Sequence, residues 1–336
     1  MRKSLLVLLC LVLAAGVALA GGQKDKAAAP GAEPTFELKW NEPEPMGHPW
    51  ADTGKMICEE IYKRSNGRIK IEHYPAGALG GQPQGVEMLR MGSLFMLTSG
   101  PSILNAFNED VQIFSTPYLF RDRDHAYAAF NMPWVQKLFN EDVLKKSGVR
   151  TIAFWYYGDR NVVTKDRAAY KPEDLRGAKI RSMDIPVWKT VVGSLGANPT
   201  PVAYAELYMA LQTGVAEGLE NPFTTVVSQK FYEVTKYIIE TRHVVHMGTI
   251  HVSEQIWQKL PEADQKLILD VFDEYLPVMD KLMDEKTAEA IEFLKERGVT
   301  IIQPDREAFR VHATREFMKV YGDKWGGIIK EIQAVK

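Results

Sequence analysis

The feature that most limits the fold of this chain is an alternation of short strand-like segments with amphipathic helix-like segments from Trp40 onward. Residues 48–65 repeat apolar side chains at helical spacing and stop at Asn66-Gly67, and residues 68–73 then alternate as a strand. This alternation predicts the α/β class. Further strands are expected at 94–98, 151–157, 178–181, near 243–252 and at 299–302, and further helices at 85–91, 124–146, 187–195, 203–213 and 306–321.

A long helical stretch begins at Pro261-Glu262 and ends at Gly298. A proline in the first turn beside acidic residues is typical of a helix start. At 1.5 Å per residue the stretch would reach roughly 55 Å, more than one small lobe needs, so we expect it to cross two lobes. Pro277 is expected to break or kink it. The length of 336 residues suffices for two domains.

The first twenty residues have the layout of a secretory signal peptide. Arg2 and Lys3 precede an almost wholly apolar run, and Ala18-Leu19-Ala20 forms a small-x-small cleavage site. The apolar run is about 16 residues long, fewer than the roughly 20 that a membrane-spanning helix needs. We therefore expect residues 1–20 to be a cleaved signal peptide, residues 21–34 to be a flexible leader and the mature protein to be periplasmic.

Charge and cysteine content exclude several classes of protein. The chain has 41 basic and 43 acidic residues, and cleavage would remove two basic ones, leaving 39 against 43. A nucleic-acid-binding or membrane-surface-binding protein would show a basic excess or patch. Two cysteines permit neither a disulfide framework nor a cysteine-based zinc site. One of them, Cys58, lies in a helix-like segment and is expected in the core.

The sequence lacks the motifs of catalysis and of cofactor binding. It contains no G-x-S-x-G, no P-loop, no G-x-G-x-x-G and no H-E-x-x-H. His243, His246 and His251 suggest a metal cluster, but the odd spacing of the first two would place them on opposite faces of a strand. We therefore expect no metal, no cofactor and no enzymatic activity.

Two arginines and one asparagine are the strongest candidates for ligand contacts. Arg160 and Arg181 each end an apolar strand-like segment, and strand ends are where α/β folds place ligand contacts. A guanidinium there is suited to two-point binding of a carboxylate. Asn221 adds an amide donor at a chain reversal. The alternative is that both arginines pair with surface acids such as Asp159 and Asp184.

These residues belong to motifs that occur in a characteristic order. The motifs are Gly-Asp-Arg at 158–160, Lys-Ile-Arg at 179–181, Ala-Leu-Gln-Thr-Gly at 210–214 and Glu-Asn-Pro at 220–222. The run resembles the TRAP transporter substrate-binding proteins of the DctP family. The resemblance extends from about Trp40 to Phe309 and includes Ser-Asn-Gly-Arg-Ile at 65–69 and Thr-Pro-Tyr-Leu-Phe at 116–120.

The resemblance implies a two-lobe periplasmic-binding-protein fold, class II-like, with a hinge, a ligand cleft between two α/β lobes and a long helix spanning both. We expect the first lobe to comprise residues 35–157 and about 247–285. The second would comprise 158–246 and about 286–336. The implied protein is a monomeric receptor that binds a small organic acid and serves the small and large membrane subunits of a TRAP transporter. A receptor used only in signalling is the alternative to transport.

The resemblance also implies roles for single residues. Arg181 would form the principal salt bridge to the ligand carboxylate, Arg160 would assist, and Asn221 would donate a hydrogen bond to the same carboxylate. Ser99 falls in a segment that contacts the distal part of the ligand. With Gly100 it leaves room there and supplies no charge.

Other candidates follow from position in the chain. Glu42, Glu44 and His48 come after the first strand, where the family places ligand-facing residues, and could bind hydroxyl groups. The alternative is that the two glutamates are exposed charges of a surface loop. Trp155 and Trp188 flank the two arginine strands and could stack on a sugar ring or an aromatic ligand. Alternation allows only part of the 155–157 segment to face the cleft, the rest being core.

This set of side chains favours a sugar acid, a uronate or aldonate, as the ligand. A C4-dicarboxylate is the first alternative, although it would want a second cationic contact that the sequence does not locate. An aromatic or keto acid is the next. A secreted enzyme acting on carboxylates is a remote alternative for which the sequence offers no nucleophile or base motif.

Overall fold

The computed structural model describes residues 35–336, so the expected signal peptide (1–20) and leader (21–34) lie outside the described residues. The strands are β1 Phe36–Asn41, β2 Ile69–Tyr74, β3 Met96–Ser99, β4 Val149–Thr164, β5 Lys179–Ser182, β6 Asn198–Pro201, β7 Gly218–Asn221, β8 Tyr237–Ser253 and β9 Thr300–Ile302. The helices are α1 Pro49–Arg64, α2 Gln82–Arg90, α3 Arg123–Phe130, α4 Pro133–Lys137, α5 Leu144–Ser147, α6 Pro186–Ser194, α7 Leu207–Thr213, α8 Phe223–Ser228, α9 Glu254–Trp257, α10 Glu262–Glu296 and α11 Arg306–Gln333. A π-helical segment, Leu138–Val143, joins α4 to α5.

Nine strands form one mixed sheet in the order β2-β1-β3-β8-β4-β7-β5-β6, with β9 paired to β8. The strand β1 lies parallel to β2 and β3, and β5 lies parallel to β6 and β7. The two long strands β4 and β8 are antiparallel and join these two parallel parts. The α/β class is therefore confirmed, and two strands cross from one part of the molecule to the other.

The strand β4 is longer than the sequence pattern predicts, since it continues past Tyr157 to Thr164. Its pairing with β8 shifts register at three places, and each shift breaks the strict alternation by which strands are recognised. At one of them Gly158 adopts φ 123°, and a Cβ on it would lie 2.8 Å from Pro222. Arg160 consequently lies inside a strand and not at the end of one.

The helix α10 passes through two separate groups of core side chains. Its first part, from Ile268 to Met283, packs with Trp40, Ile57 and Phe95. Its last part, at Ala290 and Leu294, packs with Val163 and Leu219 in a different group. The helix is continuous through Pro277, so the expected break does not occur. Phe272 and Met279, on either side of Pro277 in the chain, are buried.

The last helix, α11, also contacts both parts of the protein. Phe309 and Ala313 pack with Ile180 and Val192, whereas Phe317, Trp325 and Ile332 pack with apolar side chains of residues 104–139. Trp325 Nε1 donates to Asp110 Oδ1 at 2.9 Å. Cys58 is buried, as expected. Within residues 35–336, none of the helices combines the length and the apolar character needed to cross a bilayer.

Candidate ligand-binding site

A cavity of about 50 Å³ lies where the two parts of the sheet meet. One wall comes from the segments that follow β1 and β3, and the opposite wall comes from β4, β8 and the segments after β5 and β6. The lining side chains are mostly polar or aromatic: Pro43, Glu44, Trp50, Gln82, Ser99, Gly100, Ser102, Ile103, Tyr157, Arg160, Met183, Ile185, Tyr204 and His246.

Arg160 reaches this cavity from β4 and is held by Glu220 of the neighbouring strand β7. Its Nε donates to Glu220 Oε2, and its Nη2 donates to Glu220 Oε1 at 2.8 Å and to the Glu220 carbonyl oxygen at 2.6 Å. Both side chains are buried. Burial alone would raise the pKa of Glu220, but the Arg160 charge lowers it to about 2. The positive charge of Arg160 is therefore already balanced within the protein.

Two histidines of β8, His243 and His246, contact this same ion pair. Arg160 Nη1 lies 3.0 Å from His246 Nδ1, and His243 Nε2 lies 3.4 Å from Glu220 Oε2. Both histidines belong to β8, whose pairing with β4 is irregular between Ile239 and Val244, where Arg242 adopts φ 43°. Among residues 35–336 no cluster of metal-ligating side chains is found.

Arg181, on β5, is buried without a carboxylate partner. Its Nε donates to the Val202 carbonyl oxygen at 2.9 Å. Only 4% of the residue is exposed, yet within residues 35–336 no carboxylate oxygen lies within 4 Å of its guanidinium. Burial, opposed by the charge of Glu220, lowers the pKa of Arg181 to about 10, so the side chain stays cationic at neutral pH. Burying a cation without a counter-charge costs free energy, and the described part of the chain supplies no carboxylate partner to Arg181.

The surface pairings considered as an alternative for the two arginines do not occur. Asp184 pairs with Lys189 at 2.6 Å, and Asp159 pairs with Arg242. The acids nearest in sequence are thus occupied by other cations.

Asn221 ends β7, the strand that pairs with β5 beside Arg181. Its residue is 2% exposed, and among the described residues its Nδ2 has no hydrogen-bond partner. Burying an amide donor without a hydrogen-bond partner costs free energy, and an incoming acceptor would offset that cost. The structure therefore places a free amide donor and a free guanidinium on adjacent strands.

Ser99 and Trp188 differ in their relation to the cavity. Ser99 lines the cavity. Trp188 is fully buried; its Nε1 donates to Ser102 Oγ at 2.9 Å, and its ring lies 4.8 Å from the Arg160 guanidinium. Trp188 thus packs against the Arg160 guanidinium and is not among the residues that line the cavity.

Glu42, His48 and Trp155 are buried and are not among the residues that line the cavity. Glu42 Oε1 accepts from the Glu44 backbone N–H at 3.0 Å, and burial raises the pKa of its carboxyl to about 8. His48 Nδ1 accepts from the Trp50 backbone N–H at 3.2 Å and caps α1. Trp155 is fully buried among Trp40, Trp50 and Phe272.

Sequence reasoning did not single out Gln82, Ser102 and Tyr204, which line the cavity. Within the 155–157 segment, of which only part was expected to face the cleft, Tyr157 lines the cavity. Glu44 was a candidate with its neighbours, and it alone of that loop group lines the cavity. Tyr204 carries no sequence signal because it lies in a short 3₁₀ segment, Tyr204–Glu206. Its position is set by the fold, not by a local pattern.

The profile of the bacterial extracellular solute-binding proteins, family 7 (DctP), matches residues 41–323. The chain belongs to this DctP family. It is 30% identical to the sialic acid-binding periplasmic protein SiaP of Vibrio cholerae, over 77% of this chain and 80% of that protein.

Two solved structures extend the comparison of this DctP-family protein. One is a TRAP periplasmic solute-binding protein of Citrobacter koseri with bound D-glucuronate, at 28% identity and a TM-score of 0.83, covering 90% of this chain and 100% of that chain. Another is from Roseobacter denitrificans with bound L-galactonate, at 26% identity and a TM-score of 0.84, covering 90% and 99%. The two-lobe fold inferred from the motifs is confirmed.

Membership of the DctP family defines the general function. The chain is an extracytoplasmic solute receptor and not an enzyme, as the motifs predicted. TRAP solute-binding proteins bind small organic acids and work with membrane subunits.

Proposed function

We propose that this receptor captures a sugar acid by its carboxylate, which pairs with Arg181. The single observation that carries the proposal is the buried guanidinium of Arg181, which has one backbone acceptor and no carboxylate within 4 Å among residues 35–336. A ligand carboxylate would supply the missing charge and at least two acceptors in a two-point geometry. Binding would then offset the free-energy cost of burying the Arg181 guanidinium without a counter-charge.

Asn221 and Arg160 would complete the carboxylate site. The Nδ2 of Asn221 would donate to the ligand carboxylate, which accounts for its missing partner. Arg160 keeps its charge balanced by Glu220, so it would orient the ligand through a remaining N–H and add little net charge. Arg181 is accordingly the residue on which affinity should depend most.

A polyhydroxy acid suits the rest of the cavity. Gln82, Ser99, Ser102 and Tyr204 line it with neutral hydrogen-bonding groups. The relatives with bound D-glucuronate and L-galactonate hold ligands of this class. A C4-dicarboxylate would want a second cation, and the only arginine or lysine in the described lining is Arg160, which Glu220 already neutralises.

Ligand entry would require the lobes to part. A cavity of about 50 Å³ is far below the roughly 300 Å³ of common ligand sites, so a sugar acid must enter an opened cleft. We place the hinge where β4 and β8 cross between lobes made of residues 35–157 with about 247–285, and 158–246 with about 286–336. Because α11 packs against both parts of the protein, it would keep the two lobes in contact at one edge of the cleft. Closure would present a monomeric, liganded receptor to its TRAP membrane subunits.

Export by cleavage of residues 1–20 would bring the receptor to the periplasm. Its test is the N-terminal sequence of the secreted protein, which should begin after Ala20.

The ligand proposal is tested by a thermal-shift screen followed by calorimetry. Uronates and aldonates should raise the melting temperature and bind with 1:1 stoichiometry, whereas succinate, malate and aromatic acids should not. Stabilisation by dicarboxylates alone would overturn the sugar-acid assignment. Sugar-acid binding that survives unchanged in Arg181→Ala would overturn the carboxylate site.

A further inference from the structure

A second buried carboxylate, that of Glu44, lines the cavity at some distance from Arg181. The residue is 1% exposed. Its Oε1 accepts hydrogen bonds from Tyr157 Oη and Tyr204 Oη, each at 2.7 Å. Its Oε2 accepts from Ser228 Oγ at 3.4 Å and from Gln229 Nε2 at 3.3 Å, which are long and weak contacts.

The same two tyrosines connect Glu44 to the two arginines. The Arg181 guanidinium lies 5.7 Å from the centre of the Tyr204 ring, and the Arg160 guanidinium lies 5.9 Å from that of Tyr157. Each tyrosine therefore contacts an arginine with its ring and Glu44 with its hydroxyl. The site has a positive side at the arginines and a negative side at Glu44, one tyrosine side chain apart.

The charge of Glu44 has no cationic counterpart close by. All four groups that donate to it are neutral, and within residues 35–336 no lysine, arginine or histidine nitrogen lies within 4 Å of its oxygens. Burial, together with the Glu44 charge, raises the pKa values of Tyr157 and Tyr204, so both stay protonated donors. The Glu44 carboxylate, which accepts from four donors, is an acceptor-only part of the lining.

We propose that Glu44 is a charge filter that rejects a second carboxylate and accepts a hydroxyl group, so that the receptor selects monocarboxylates. The inference rests on the proposed function, since it assumes that one ligand carboxylate is at Arg181. A ligand hydroxyl can replace the weak Ser228 or Gln229 contact at Oε2 without disturbing the tyrosines. A second carboxylate in so small a space would face an uncompensated charge of the same sign.

The test compares acids that differ in one group only. L-galactonate and galactarate share a carbon chain and differ in whether the far end is a primary alcohol or a carboxylate. Calorimetric affinities for both are measured with the wild-type protein, with Glu44→Gln and with Glu42→Gln. The Glu42 variant is the matched control, because Glu42 is the neighbouring buried carboxyl, does not line the cavity and is mostly protonated at pH 7.

The wild-type protein should prefer the aldonate by on the order of 100-fold, from the repulsion of two charges a few ångströms apart in a partly buried site. Glu44→Gln should reduce that preference at least tenfold, and Glu42→Gln should leave it unchanged. Equal binding of galactarate by the wild-type protein would overturn the inference without any variant. An unchanged preference in a folded Glu44→Gln protein would do the same.

The outcomes separate this inference from the function on which it rests. If galactarate binds the wild-type protein as well as the aldonate does and Arg181→Ala abolishes both, the carboxylate site stands and the filter alone is wrong. If neither acid binds, nor any other uronate, aldonate or matching diacid, both the proposed function and the filter are wrong.

Discussion

Arg160 and Glu220 form a two-point ion pair between adjacent strands, 60 residues apart in the chain, with both side chains buried. Because Glu220 balances the charge of Arg160, this arginine needs no ligand carboxylate as a counter-charge. Arg181 is buried without a carboxylate partner among residues 35–336, and under the proposed function a ligand carboxylate would supply one. The two arginines, alike in the sequence, are therefore expected to respond to substitution in opposite ways.

Replacing Arg181 by methionine should weaken binding strongly and leave the fold intact. Loss of the ligand salt bridge is expected to cost roughly 2–5 kcal/mol, or about 30- to several-thousand-fold in affinity. The unliganded protein should be as stable as the wild type or more so, because a buried unpaired charge is removed. Calorimetry and urea denaturation measure the two effects, with exposed Arg176→Met as the control. A large loss of stability would contradict the unpaired state of Arg181.

Replacing Glu220 by glutamine should instead destabilise the protein itself. The change leaves Arg160 buried without its counter-charge, which is expected to cost about 3–5 kcal/mol of unfolding free energy. Urea denaturation without ligand gives the value. The control is Asp166→Asn, which removes the partner of exposed Lys236 and should change the unfolding free energy little, because solvent screens an exposed ion pair. Equal stability of the two variants would show that the buried pair is not what holds Arg160.

The buried carboxyl of Glu42 should make stability fall as pH rises. Its pKa is about 8 in the folded protein against 4.5 when exposed, so the folded state keeps a proton that the unfolded state loses. The Glu42 contribution is complete below pH 4.5 and is lost toward pH 8, at up to about 1.4 kcal/mol per pH unit.

The measurement for Glu42 is the difference in unfolding free energy between the wild type and Glu42→Gln from pH 5 to pH 8. Buried His48, His243, His246 and His251 have lowered pKa values and act with the opposite sign, but they are common to both proteins and cancel. The difference should move steadily in favour of the variant. A difference independent of pH would show that Glu42 is not a buried protonated acid.

Replacing Gly248 by alanine should disturb the wall of the site from β8. A Cβ there would lie 1.8 Å from Cη2 of Trp50, which lines the cavity, so the indole ring must move. We expect a loss of at least about 3 kcal/mol, the upper range for overpacking, and weaker ligand binding. Gly193→Ala, on α6 with no atom within 4 Å of its Cβ, is the control and should stabilise slightly. Matching unfolding curves for the two variants would contradict this packing.

Much of the fold could be predicted because local patterns encode it. The strand at 94–98 appears as Met96–Ser99, and the helical region at 124–146 appears as several short helices with a new start at Pro133. The long helix spans both parts as expected. The prediction missed the bulged continuation of β4, where tertiary contacts override a local pattern. Of the two outcomes expected at Pro277, a break or a kink, the break does not occur.

The candidate site could be predicted only in part. Ser99 and Arg160 line the cavity, and Arg181 and Asn221 carry free donors on adjacent strands, but their ligand contacts stay predictions. Glu42, His48, Trp155 and Trp188 are buried and, like Arg181 and Asn221, are not among the residues that line the cavity. Whether a polar residue of a loop faces a cavity or the core depends on elements far away in sequence, which periodicity does not encode.

The sequence by itself determined the family, the order of helices and strands, and the presence of two arginines and an asparagine suited to a carboxylate. Only the tertiary structure decided that Glu220 pairs with Arg160, that Arg181 has no carboxylate partner among residues 35–336 and that Glu44 lines the cavity. The physical reason is that charge pairing falls off over a few ångströms, and such distances between residues 60 or more positions apart arise only when strands from distant segments are brought side by side.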